Sequence, residues 1–170
     1  MRVGTVGFCA DSSFLSRAVR WITRGDWSHT FIVAGHVGGV EVVIEADRGE
    51  VRLSRLDQYM TGYTTMFFEP VDGVMDIGAG ICTAMSHLTV RYGFMQVIGI
   101  AVVLTLRRMT GLSIPNPFRS GDICSELDLR FLGAADPAGP WSGMDPDTTT
   151  PEDVFEYLRL SDRFMWPGMA

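Results

Sequence analysis

Cys124 sits in Phe118-Arg119-Ser120-Gly121-Asp122-Ile123-Cys124-Ser125-Glu126-Leu127, a stretch that reads as the end of a loop and the start of a helix. Ser120 or Asp122 is placed to supply an N-cap oxygen, and Gly133 falls where a C-cap is expected. With Asp122 as the cap, Cys124 enters the first helical turn. Backbone N–H groups are unpaired there and the positive end of the helix dipole points at the sulfur. A thiol so held ionises more easily, and the thiolate is the nucleophilic form. The same position also suits a small buried residue of an amphipathic helix, a common use of cysteine.

A cysteine nucleophile needs an imidazole, and the imidazole needs a group to orient it. Of the three histidines, His36 lies in a glycine-rich turn and His87 inside a helix of small and apolar residues. His29 leads the otherwise apolar strand Trp27-Ser28-His29-Thr30-Phe31-Ile32-Val33, sharing a face with Phe31 and Val33. If the following hairpin turns about Val37, His29 opposes Glu45, Phe31 opposes Val43 and Val33 opposes Glu41. Directly opposed Cβ atoms lie about 5 Å apart, so Glu45 can take a hydrogen bond from one ring nitrogen and leave the other for the thiol. A turn centred on Gly38-Gly39 shifts this register and breaks the pairing. The competing readings are a histidine that only caps a strand and carboxylates that only face solvent.

The elements that must position these groups follow from the local pattern. Arg2 to Phe8 reads as a short strand. Ser13 to Thr23 reads as an amphipathic helix, with Asp11-Ser12-Ser13 offering cap oxygens. Ser28 to Ala34 and Val40 to Ala46 form a hairpin. Val51 to Leu56 continues extended into a helical turn at Leu56 to Tyr59, and Thr64 to Val71 is a further strand. The first half is thus expected to be a meandering antiparallel sheet. From Asp76 the spacing turns helical, through Ile77, Ile81, Ala84, Met85 and Leu88. A second helix, Tyr92 to Met109, is apolar nearly all round, which predicts burial. Pro115-Asn116-Pro117 is a loop, Ile123 to Leu132 carries Cys124, and Ala134 to Thr150 is a Gly-, Pro- and Asp-rich surface loop. Thr150-Pro151-Glu152-Asp153 opens a last helix with proline at its first position, and Phe164 to Ala170 is an extended tail. No linker or internal repeat divides residues 1–170, so one α+β catalytic domain is expected.

Composition narrows the function classes. The chain has 170 residues, 46% hydrophobic and 20% charged, as in a globular domain. A net charge of −6 argues against nucleic acid as a partner. All fourteen basic residues are arginine, which excludes a lysine nucleophile or Schiff base. Cys9, Cys82 and Cys124 are odd in number and far apart, with no zinc-ligand spacing, so neither a disulfide scaffold nor a metal or other cofactor is expected. The apolar run Phe94 to Leu106, flanked by Arg91 and Arg107-Arg108, falls short of the roughly 20 residues of a span. With no basic region leading into a long apolar run at the start, a cytoplasmic protein is expected.

Ser28-His29-Thr30-Phe31-Ile32-Val33, Val43-Ile44-Glu45-Ala46 and Ile123-Cys124-Ser125-Glu126-Leu127 resemble the permuted NlpC/P60 superfamily, nearest its YiiX/YaeF-like branch. There a circularly permuted papain-like fold packs an antiparallel sheet against helices. Its histidine comes early, an acidic residue follows in the next strand, and cysteine comes late at a helix start. The resemblance implies catalysis by Cys124 and His29 with Glu45 as third member, through a Cys thioester. It implies an amide or ester substrate, cell-wall peptide or acyl lipid. Tyr92-Gly93 resembles an aromatic near that site. Where the family usually carries a Gly-Asp-Ile/Leu strand with a polar partner for the oxyanion, this chain has Gly7-Phe8-Cys9-Ala10-Asp11, so the second oxyanion donor is unassigned.

The expectation is therefore a cysteine peptidase or amidase, with Tyr92, Asp11 and Ser12 as substrate-binding walls. The net negative charge favours peptide over anionic lipid. The alternatives are a lipid acyl hydrolase or acyltransferase of the same fold, and a catalytically idle binding module. A lipid-facing Phe94–Leu106 helix would leave a contiguous exposed apolar patch; a core helix would not.

Overall fold

A computed structural model describes residues 1–47, 49–112, 121–146 and 148–166, without the side chains of 94–96. The strands are β1 (Val6–Ala10), β2 (His29–Val37), β3 (Val40–Asp47), β4 (Glu50–Arg55), β5 (Thr64–Pro70) and β6 (Phe164–Met165). The helices are α1 (Phe14–Thr23), α2 (Ile77–Ser86), α3 (Phe94–Thr110), α4 (Cys124–Ala135) and α5 (Pro151–Leu160), with 3₁₀ turns at Leu56–Tyr59 and Pro140–Gly143. The expected Pro115–Pro117 loop and the Ser120 cap lie outside the described residues.

All the strands pair antiparallel into one six-stranded sheet in the order β4-β3-β2-β1-β5-β6. It is α+β, but not the simple meander expected. β1 starts at Val6, not Arg2, and pairs on both sides, with β2 and with β5. Every residue of β1 is buried, as a central strand requires.

Alternation along β2 and β3 sorts the two faces. Ile32, Ile44 and Ala46 face the main core, where Leu127, Phe131 and Leu132 of α4 and Val154, Phe155 and Leu158 of α5 cover the sheet. Phe31, Val33 and Val43 face the other way, under Leu56 and Tyr59 of the 3₁₀ turn, and Phe31 stacks on Tyr59 with centroids 4.4 Å apart. The helix ends match their chemistry. Ser13 caps α1, Asp76 caps α2, and Thr150 with Asp153 forms a capping box on α5 around Pro151.

Two helical expectations change. α4 runs past Gly133 to Ala135, and its N-cap is Ile123, which makes no side-chain cap bond. α3 is not buried all round: Ile100 and Val103 are in the core, but Ile98, Val102, Leu106 and Met109 are exposed. It packs mainly on α1.

Candidate active site

The hairpin of β2 and β3 turns at Gly38 and Gly39, with φ of +59° and +81°. Both central residues of such a two-residue turn need positive φ, which glycine adopts without strain. Beyond the turn His36 opposes Glu41 and Gly35 opposes Val42. Then the register shifts, and Val33 opposes Val43 and Ile32 opposes Ile44. Ala34 is the unpaired residue of a β-bulge. The pairing expected on a turn about Val37 is therefore corrected: Glu45 is not directly opposite His29, and Val33 does not face Glu41. The two still meet, on the diagonal, with His29 Nε2 2.9 Å from Glu45 Oε2.

Glu45 is fully buried, and every contact it makes is to a donor. Besides His29 it accepts from the Tyr59 hydroxyl, the Ser54 hydroxyl, Arg52 Nε at 3.1 Å and Gln58 Nε2 at 3.4 Å. Burial works against its charge, yet His29, Ser54 and Tyr59 outweigh it and bring its pKa down to about 2. A carboxylate held this way is a fixed negative charge beneath the imidazole. Burial opposes charging His29 as well, but hydrogen bonds to Cys124 and Glu45 hold its pKa well above the ordinary imidazole value. The thiol and the carboxylate thus both act on the ring, and Nε2 is the nitrogen taken by Glu45.

Cys124 is the first residue of α4 and is 6% exposed. The first bond inside the helix is Leu127 N–H to the Ile123 carbonyl, so the Cys124 N–H belongs to the unpaired set at the helix start. The approach to this turn is tied down by backbone bonds. Asp122 bridges Tyr92 in parallel, Asp122 N–H donates to the Arg91 carbonyl at 3.1 Å, and Gly93 N–H donates to the Asp122 carbonyl at 3.0 Å. Gly121 makes this possible: its φ is +80°, and a Cβ there would lie 2.0 Å from the Arg91 carbonyl oxygen.

Asp122 does not cap the helix. Its carboxylate pairs with His87 Nδ1 at 2.5 Å and Arg130 at 3.3 Å, and Arg130 also reaches Glu126 at 2.7 Å. His87, expected inside a helix, sits at the C-cap of α2 and ties it to the start of α4. His36 is exposed and lies 3.5 Å from Glu41, away from the site.

Tyr92 and Asp11 line one cavity with His29, together with Cys9, Tyr59, Tyr63 and Val97; its volume is about 470 Å³. Ser12 does not reach it and lines a neighbouring cleft; Ser13 takes that place in the wall. A second, narrow cavity of about 50 Å³ adjoins Cys124 and shares Val19, Ser28, Tyr92 and Val97 with the first. Val19 and Ile22 of α1, Val97 and Ile100 of α3, Ile123 and Pro151 make it apolar. Cys9 lies directly across the ladder from His29, and burial pushes its thiol up to about 12. It is a neutral neighbour of the imidazole.

Sequence reasoning missed Tyr59, Ser54 and Arg52. Arg52 opposes Glu45 and Ser54 opposes Val43 across β3 and β4, so both share its face. The alternation Arg52-Leu53-Ser54 after a turn at Asp47–Glu50 is the signal that would have found them.

The sequence matches no family model and no curated protein. Among solved structures, the crystal structure of the metalloprotein YiiX from Escherichia coli O157:H7, DUF1105, is similar in fold. Its TM-score is 0.55 at 18% identity, covering 98% of each chain.

Proposed function

We propose that the chain is a thiol hydrolase of the permuted papain-like type, which cleaves an acyl–heteroatom bond through a Cys124 thioester. One observation carries the reading: the His29 imidazole is held 2.9 Å from the buried Glu45 carboxylate and has the Cys124 thiol close enough to raise its pKa. Likeness to YiiX over the whole chain supports the family resemblance of the sequence motifs at the level of fold.

The Cys124 sulfur attacks the substrate carbonyl carbon, and its proton resides on His29. The developing oxyanion faces the Cys124 N–H at the positive end of α4. Collapse expels the leaving amine, alkoxide or thiol, which takes the proton from His29. Water, deprotonated by His29, then attacks the thioester carbonyl and returns the thiol. Glu45 positions the ring and compensates its charge in both halves.

The substrate reading shifts from peptide toward an acyl group. The narrow slot beside Cys124 is mainly apolar, with Val19, Ile22, Val97 and Ile100 in its wall, and the wider cavity at His29, where Asp11, Ser13 and Ser28 join apolar side chains, leaves room for the leaving group. YiiX is described as a metalloprotein, but the residues here do not fit a metal ion. Among the described residues no group of three or more His, Cys, Asp or Glu side chains is arranged to hold one, and the oxygens of Glu45 are occupied by five protein donors.

The test is parallel incubation with peptidoglycan stem peptides and with acyl esters and thioesters of graded chain length. Turnover of the acyl substrates, abolished in Cys124→Ala, is expected. Turnover of stem peptide alone would restore the peptidase reading, and turnover that survives Cys124→Ala would end both.

A further inference from the structure

The arginines of this acidic chain are not spread evenly. Residues 12–25 and 77–121 hold seven of the fourteen arginines and none of the twenty acidic residues. These segments contain α1 and α3, and the two helices pack on each other. Their outer faces meet in an open groove lined by Phe14, Arg17, Trp21, Arg24, Arg108 and Met109. Phe14 is 88% and Trp21 81% exposed, and Ile98, Val102 and Leu112 continue the apolar surface along α3. Arg17, Arg24, Arg107 and Arg108 are exposed, and among the described residues none is paired with a carboxylate.

Exposed Trp and Phe among unpaired cations is the composition of a surface that lies in the lipid headgroup region. Two other occupants fit less well. A second copy docking through the same patch would set arginines against arginines across a two-fold axis. No helix among the described residues is long and apolar enough to cross a membrane, so neither α1 nor α3 is read as a span.

We infer that α1 and α3 form a docking face for an anionic bilayer surface, with Phe14 and Trp21 entering the headgroup layer and the arginines pairing with lipid phosphates. The inner faces of the same helices supply Val19, Ile22, Val97 and Ile100 to the slot beside Cys124, so docking brings that slot to the lipid. This deepens the acyl-hydrolase reading and names where its substrate is met. The net charge of the chain hid the site, because the acidic residues lie elsewhere.

The experiment is co-sedimentation of the full chain with vesicles of phosphatidylcholine alone and of phosphatidylcholine mixed with phosphatidylglycerol. Partitioning onto the anionic vesicles is expected to exceed that onto neutral ones by about tenfold or more and to fall with added salt. Arg17→Glu/Arg24→Glu, at two arginines that line the groove, should abolish the difference, and Trp21→Ser should weaken partitioning, with unchanged melting temperatures. Cys124→Ala should partition as the natural chain does, which separates docking from catalysis. The arginine variant should still turn over a short soluble thioester. No partitioning on either vesicle, or equal partitioning untouched by arginine reversal, overturns the inference. So does a lipid-free dimer that Trp21→Ser dissolves while vesicles stay bare.

Discussion

His29 and Glu45 are bonded across neighbouring strands although they are not opposite one another, and the unpaired Ala34 is the reason. In the register next to the turn, set by His36 against Glu41, position 45 falls opposite 32 and on the face away from His29. After the bulge, set by Val33 against Val43, position 45 falls opposite 31 and on the face of His29. A shift of one residue exchanges the faces of a strand. Here one bulge turns a carboxylate that would point into the core toward the imidazole instead.

Glu45→Gln tests what that bond does. The amide has roughly the shape of the carboxylate but no charge, and it sets an NH₂ among donors. A fall in kcat/KM of about 10²-fold is expected. The pH profile distinguishes positioning from mere packing. Loss of the Glu45 bond and charge lowers the raised His29 pKa, so the alkaline limb of kcat/KM should move to lower pH. A uniform drop with an unmoved limb would reduce Glu45 to a structural role. Stability responds with the opposite pH sense for the carboxylate. Its pKa is about 2 in the fold against an ordinary 4.5, so it stabilises above pH 4.5 and this is lost as pH falls toward 2.

Cys124→Ala and His29→Ala should each lower turnover by about 10³-fold or more, and the double variant by little beyond either, because they act as one unit. Cys9→Ala and Cys82→Ala should keep activity. Native-state alkylation gives a second readout: Cys82 is exposed and should label, while Cys9 is buried with its pKa near 12 and should not. Protection of Cys124 by substrate would place it in the site. Equal labelling of Cys9 and Cys124 would count against a special role for either.

The pieces of the site were legible because local chemistry marks them: a polar residue leading an apolar strand, a glycine before a helix start, a carboxylate in a β-branched run. Their arrangement was less so. A bulge leaves no trace in simple alternation, and the expected register met the right partner only because it erred by an even number of positions. Tyr59 reaches Glu45 from a turn fourteen residues on, a contact that depends on how the sheet folds back. α3 misled for a different reason. Apolar residues all round a helix read as burial, yet here they divide between a core face at Ile100 and Val103 and an outer face at Ile98, Val102 and Leu106.

Gly121→Ala should be among the most damaging small substitutions. The new Cβ meets the Arg91 carbonyl and the backbone sits at positive φ, so neither neighbour can yield by rotating a side chain. A loss of at least about 2 kcal/mol and a Tm drop of about 5 °C or more are expected. Activity should fall further than stability alone explains, since the same segment sets the start of α4. A variant as stable and as active as the natural chain would show that the Gly121 turn does not position Cys124.

Asp128 lies one turn along α4 from Cys124, fully buried on the main-core side, and burial lifts its carboxyl to about 7 against the lowering effect of Thr30 and His29. The bonding agrees. The Thr30 hydroxyl has one proton and two acceptors within reach, the Gly7 carbonyl at 2.9 Å and Asp128 Oδ2 at 2.7 Å. If the Thr30 proton goes to Gly7, a protonated Asp128 donates to Thr30 and both bonds are made. A carboxyl whose pKa is raised in the fold costs stability as pH climbs above its unfolded value near 3.8, increasingly up to the folded value near 7, beyond which the cost levels off. Asp128→Asn keeps a donor and removes the charge. Its Tm should match the natural chain near pH 4 and exceed it progressively toward pH 8, while the pH dependence of the thiol chemistry stays with His29. A Tm difference that does not change with pH would mean that Asp128 carries no buried charge to relieve.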